Sequence, residues 1–172
     1  MATRSIKMSD AVTAKLNALA KKARGKVIVG FIDNDQAPIA WWNEFGHKGR
    51  FPSPPRPFFR TMVAQESGKW PAMMAGELKR SEFDGKKTLA FMGDEIEGQL
   101  KESIIELVAP PLSKTTLRLR LKFRNQPQNI RARDVVQAQI DVANGKPVAS
   151  GTEAKPLVWT GQMLNSTSYK VS

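Results

Sequence analysis

The sequence predicts a small α+β protein: a strand-poor sheet packed by one long amphipathic helix and several shorter helices, with an extended proline-rich loop. From Asp84 onward, Leu89, Met92, Ile96, Leu100, Ile104 and Leu107 recur three or four residues apart. That spacing puts one apolar stripe along a long helix, to lie across a sheet or bundle. By contrast, Lys26 to Ile32 (KVIVGFI) is a short β-branched run without polar alternation, which reads as a central strand buried on both faces. A chain of 172 residues, with 41% hydrophobic and 25% charged residues, is sized for a single domain with its own core.

In chain order, SDAVTAKLNALAKKARG from Ser9 places Val12, Leu16, Leu19, Ala20 and Ala23 on one helix face and lysines on another. Ser9 is the expected N-cap. Lys21, Lys22 and Arg24 complement the carboxyl end of the helix dipole, and Gly25 stops the helix. After the strand, Asp33, Asn34 and Asp35 supply turn chemistry; no calcium-loop spacing follows them. Gly30 suits a close approach of another backbone.

Trp41 to Arg60 (WWNEFGHKGRFPSPPRPFFR) is the most informative stretch. Pro38 to Phe45 reads as a short helix closed by Gly46 and presenting Trp41, Trp42 and Phe45, with Glu44 placed to meet Arg56 or Arg60. Pro52, Pro54, Pro55 and Pro57 hold Phe51 to Pro57 extended. Pro57 then suits a helix first turn, so that Phe58, Phe59, Met62 and Val63 fall on successive turns up to about Ser67. Gly68 breaks the chain before a second segment from Pro71 that carries Met74 and Leu78. On the long helix, Asp94, Glu95, Glu97, Glu102 and Glu106 fall outside the stripe, toward water or a basic neighbour.

Pro110 and Pro111 end the long helix. Residues 112–133 contain no acid. Ser113 can cap a helix here, while Leu117, Leu119, Leu121 and Phe123 alternate with basic residues as a strand would. In either form Lys114, Arg118, Arg120, Lys122, Arg124, Arg131 and Arg133 are the candidate contacts to an anionic partner. Asp134 to Asn144 reads as an amphipathic helix closed by Gly145, and Lys146 to Lys155 as loop. Thr160 can cap a short helix with Met163 and Leu164. Thr167 to Val171 is a closing strand, expected to pair with Lys26 to Ile32.

The net charge of +11 and pI near 10.1 favour an anionic partner, either nucleic acid or an acidic protein surface. Disulfides and thiolate metal sites are excluded because cysteine is absent, which fits a reducing cytoplasm. The amino terminus lacks a signal-peptide core, and no apolar run approaches the ~18 residues of a membrane span. His47 is the one histidine and lies in a loop; no phosphate-cradling glycine motif occurs, and the paired carboxylates have no evident pocket. No enzyme, cofactor or metal is therefore expected.

Three separated motifs carry a resemblance: Glu44-Phe45-Gly46 at the end of a short helix, the proline-rich run into Arg56-Pro57-Phe58-Phe59-Arg60, and Leu157 to Tyr169 with its Thr160-Gly161 turn. In this order they resemble the neck and tail-completion proteins of long-tailed bacteriophages. The resemblance implies a structural virion protein, made in the host cytoplasm, that joins the DNA-filled head to the tail as a ring of subunits. Its partners would be further copies, the connector or head-completion proteins and the tail tube or terminator, with transient contact to genomic DNA in the lumen. Trp41, Trp42, Glu44, Phe45, Arg56, Phe58, Phe59 and Arg60 are then the expected interface, with Arg56 and Arg60 in intersubunit ion pairs and Phe58 and Phe59 as buried anchors. The family's leucine-serine-x-x-threonine segment, here Leu112, Ser113 and Thr116, opens a short helix and favours that form. Residues 122–154 exceed what the family carries, so an extended basic arm or insertion at about 113–155 is expected. A tail terminator is the alternative within the particle, and a free basic DNA-binding protein the alternative outside it.

Overall fold

The computed structural model describes residues 10–32, 34–48 and 52–172. In chain order the described elements are α1 (Asp10–Lys22), β1 (Val27–Gly30), α2 (Ala37–Phe45), α3 (Phe58–Glu66), α4 (Trp70–Arg80), α5 (Gly85–Glu106), α6 (Lys114–Lys122), α7 (Ala132–Ala143), α8 (Gln162–Asn165) and β2 (Ser168–Val171). Short 3₁₀ turns lie at Pro127–Asn129 and Gly151–Ala154. The α+β class expected from the sequence is thus the observed one, helix-rich around a two-stranded antiparallel sheet.

Helix α5 is the spine. Its N-cap Asp84 accepts a hydrogen bond from the Lys87 amide at 3.1 Å, satisfying a free first-turn donor. From its stripe Leu89, Met92, Leu100 and Ile104 are buried. The sheet crosses the amino-terminal half of α5, and α3 and α4 cover the rest, where Ser103 Oγ donates to Phe58 O and Trp70 Nε1 to Gln99 Oε1. Phe58, Met62, Leu100, Ile104, Leu157 and Met163 form the core, with Phe31 edge-on to Phe58 at 6.2 Å. Two glycines on α5 permit close approaches. A Cβ on Gly93 would stand 2.3 Å from the Tyr169 ring, and one on Gly85 would stand 2.7 Å from the Ala23 backbone.

The expected pairing of the two strands is present, with Val27 opposite Val171 and Gly30 opposite Ser168. Three strand expectations need correction. β1 is shorter than Lys26 to Ile32, it is not central, and it is not buried on both faces: Ile28 is 46% exposed. With one partner strand and one covering helix, only one face of so small a sheet can be dry. Gly30 ends the strand through its backbone, at φ +149°, while a Cβ there would meet only Phe59 Cε2 at 3.8 Å. Phe31 thereby leaves the sheet and turns into the core.

Helix α1 forms over the expected span, yet none of its residues is buried, and Val12, Leu16 and Leu19 face outward. The expected cap at Ser9, the turn residue Asp33 and the start of the extended run at Phe51 lie outside the described residues. Asn34 does make the expected turn, its Oδ1 accepting from Gln36 N and its Nδ2 donating to Ser166 O. Helix α6 resolves the strand-or-helix alternative, with Ser113 Oγ accepting from Thr116 N. It packs against α7 as a helical hairpin. At α8, Gly161 (φ +69°) takes the N-cap position, and the Thr160 hydroxyl accepts a long 3.4 Å bond from Gln162 N.

The close approach at Gly93 predicts that Gly93→Ala destabilises by about 1–3 kcal/mol, because overpacking against Tyr169 outweighs a helix-propensity gain of about 1 kcal/mol. Gly98 on the same helix has nothing within 4 Å of its built Cβ, so Gly98→Ala should instead stabilise by about 0.5–1 kcal/mol. Urea unfolding of the two variants would show opposite shifts in midpoint.

Candidate interaction surface

The stretch from α2 into α3 folds back on itself. Gly46, at φ +78°, lies so close to the returning chain that a Cβ would meet Pro55 N and Ser53 O at 2.9 Å. His47 and Ser53 then pair through two backbone bonds of 3.0 Å, and Arg56 N donates to Asn43 O at 2.6 Å. The prolines keep this return extended and hold it against α2.

One buried carboxylate fixes the junction. Glu44, 5% exposed, accepts the amides of Phe59 at 2.9 Å and Arg60 at 3.2 Å, and the Arg60 Nε at 2.7 Å. Arg60 also donates from Nη2 to Glu44 O, and its guanidinium sits 4.8 Å from the Phe45 ring centre. Glu44 thus does for α3 what an N-cap side chain does, from a different helix. Of the two arginines the sequence offered to Glu44, Arg60 is the partner. Arg56 is buried instead, donating from Nε to Pro110 O at 3.2 Å, and burial lowers its pKa.

The same geometry turns aromatic side chains outward. Trp41 is 63% exposed, Trp42 52% and Phe45 45%. The Trp41 and Phe45 ring centres lie 4.2 Å apart with the planes tilted at 43°, and the Trp42 ring centre lies 5.6 Å from that of His47. Below them, a cleft of about 280 Å³ is lined by Phe31, Ala37, Ala40, Trp41, Phe45 and Phe59 among others. So the structure gathers Trp41, Trp42, Phe45 and Arg60 on one face. It places Phe58 in the core and Phe59 half-buried at the cleft, and it buries Arg56.

The acid-free segment is neutralised mostly from within. Arg118 pairs with Asp141 at 2.9 Å, Lys122 with Asp134 at 3.6 Å and Arg124 with Glu153 at 2.5 Å. Arg120 points inward and donates to the carbonyls of Glu153, Lys155 and Pro156, stacked 5.1 Å over Trp159. Burial, and then the charge of Arg56, bring the Arg120 pKa down to about 10, so it stays protonated at neutral pH. Arg131 closes the first turn of α7, its amide donating to Asp134 and its Nη1 to Gln128 O. Lys114 and Arg133 stay exposed. The missed counter-charges carried a signal: Asp134 and Asp141, seven residues apart on α7, are the first acids after the basic run.

Asp141 is the hub of this hairpin. Hydrogen bonds from Gln137 and Arg118, with Lys146 nearby, hold its pKa down at about 2. No group of three or more His, Cys, Asp or Glu is placed to hold a metal ion among the described residues. No helix among them is long and apolar enough to cross a membrane. Comparisons with protein-family models, curated proteins and solved structures find no match.

Two outcomes are expected. Glu44→Ala should cost about 1–3 kcal/mol in urea unfolding, because it strips an acceptor from two helix-start amides and a guanidinium. A group whose pKa is depressed in the fold stabilises above its ordinary value of 3.8 and loses that contribution as pH falls toward about 2. Between about pH 5 and pH 2 the melting temperature of the wild type should therefore fall more steeply than that of Asp141→Asn.

Proposed function

We propose that this chain is a structural, non-catalytic component of a tailed-phage particle, a neck or tail-completion protein that joins the filled head to the tail as part of a ring. The observation that carries the reading is the outward-facing cluster of Trp41, Trp42 and Phe45 on a helix whose position is fixed by the buried Glu44 carboxylate. Large aromatic groups held on a rigid element form effective contact centres, because little conformational entropy is lost when they are covered. Arg60 lies at the rim of this face, where its pair with Glu44 and its guanidinium over the Phe45 ring hold that ring in place. The order of the Glu44-Phe45-Gly46, Arg56-to-Arg60 and Leu157-to-Tyr169 motifs supports the same reading through its resemblance to neck proteins.

A free DNA-binding role draws less support. Strong phosphate binding needs several uncommitted cations on one surface. Here Arg118, Lys122 and Arg124 meet carboxylates of the same chain, and Arg120 is buried.

Electron microscopy of a lysate from a phage with a stop codon in this gene tests the proposal. DNA-filled heads beside separate tails of normal length are the expected result; tails of uncontrolled length would point to a terminator, and intact particles would overturn the reading. Complementation with Trp41→Asp plus Phe45→Asp should leave the protein folded and heads and tails unjoined, whereas joined particles would remove this face from the junction.

A further inference from the structure

Helix α1 is the least explained element of the fold. It spans 13 residues, and none of them is buried. Val12, Leu16 and Leu19 form an exposed apolar line, and helical geometry sets Lys15 and Lys22, seven residues apart, along one edge of it. The carboxyl end of the helix is anchored by Ala23 against Gly85, and Lys22 Nζ makes an exposed 3.2 Å bond to Glu82 O. An amphipathic helix with its apolar line in water has its packing partner elsewhere.

A groove of about 680 Å³ runs between α3 and the carboxyl half of α5. Phe58 and Met62 at its base are almost wholly enclosed, so the apolar surface it offers lies at its end, where Leu107 is half-buried and Val108 stands 64% exposed. Glu95, Glu102 and Glu106 follow one another on the α5 side at i, i+7 and i+11, which is a single line along a helix. No Lys or Arg among the described residues is ion-paired with these three glutamates. The seven-residue interval from Glu95 to Glu102 equals that from Lys15 to Lys22, about 10 Å on either helix.

We infer that α1 of one copy docks in the α3–α5 groove of a second copy, its Val12–Leu16–Leu19 line toward Leu107 and Val108 and Lys15 and Lys22 against Glu95 and Glu102, with Lys22 exchanging its bond to Glu82 O for the intersubunit contact. Both partners of the match lie on the same chain, and α1 is anchored at the far end of α5 from the groove, so each copy offers one arm and one socket. Such a contact is head-to-tail, and it closes into a ring when the rotation per copy divides a full turn. The inference deepens the ring reading proposed above and rests on it for closure, while the contact itself stands on the matching charge lines and the uncovered apolar line of α1.

Charge exchange on the full chain tests it, read by sedimentation velocity at low and high salt. The wild type should self-associate, and more weakly at high salt. Lys15→Glu with Lys22→Glu should weaken association by on the order of tenfold or more, as should Glu95→Lys with Glu102→Lys. An equimolar mixture of the two variants should restore assembly, because each arm then meets a socket of opposite sign. Leu16→Asp should abolish assembly in every combination, with circular dichroism confirming that the helices persist. A wild type that associates equally well with its exchanged variants would overturn this contact and leave the ring reading in place. Wild type that stays monomeric at every concentration and salt tested would also overturn the contact, and the lysate experiment would decide the ring reading separately.

Discussion

Everything in this fold hangs on burying one side of α5. Leu100 and Ile104 are wholly enclosed by α3 from the middle of the chain and by Leu157 and Met163 from the carboxyl-terminal segment, while the β1–β2 pair covers the amino-terminal half of the same helix. A two-stranded sheet is not stable in water by itself. Here it persists because α5 covers one face, and Gly93 lets the Tyr169 ring reach the helix backbone. Hydrophobic burial of a few side chains on one helix thus closes the chain, bringing Val171 opposite Val27.

Around that spine, buried charge sets local geometry. Glu44 and Asp141 are both almost wholly enclosed, and each accepts several donors, so neither is left with an uncompensated carboxylate. Glu44 fixes where α3 starts relative to α2, which decides that Trp41 and Phe45 face outward while Phe58 faces in. Asp141 ties α6 to α7 and absorbs positive charge that would otherwise face solvent. Arg56 and Arg120, buried near each other, are held by backbone carbonyls, and their mutual repulsion adds to the lowering of the Arg120 pKa.

The surface that results has three unlike regions: an aromatic face on α2, a largely self-neutralised basic hairpin, and an apolar arm whose charge and spacing match a groove on the same chain. A high net positive charge therefore says less about partners than it suggests. What matters is which cations the fold leaves unpaired, and Lys15, Lys114 and Arg133 differ in this from Arg118 and Arg124.

Local sequence determined the helix spans, the cap at Asp84, the cap at Ser113 and the break between α3 and α4, because these depend on neighbours within a turn or two. It also placed Glu44 near an arginine and paired the terminal strands, since a lone β-branched run needs a partner and the last residues offered one. Tertiary structure alone decided which faces stayed wet. KVIVGFI reads as a doubly buried strand, yet with one neighbour and one covering helix Ile28 remains in water. Arg56 and Arg60 look equivalent in the sequence, but only Arg60 reaches Glu44, because the proline-held return turns Arg56 toward Pro110. The basic run looked like one anionic-partner surface until α7 folded against it and brought Asp134 and Asp141 within reach. Burial and long-range pairing depend on where distant segments meet, and no spacing within a single segment encodes that.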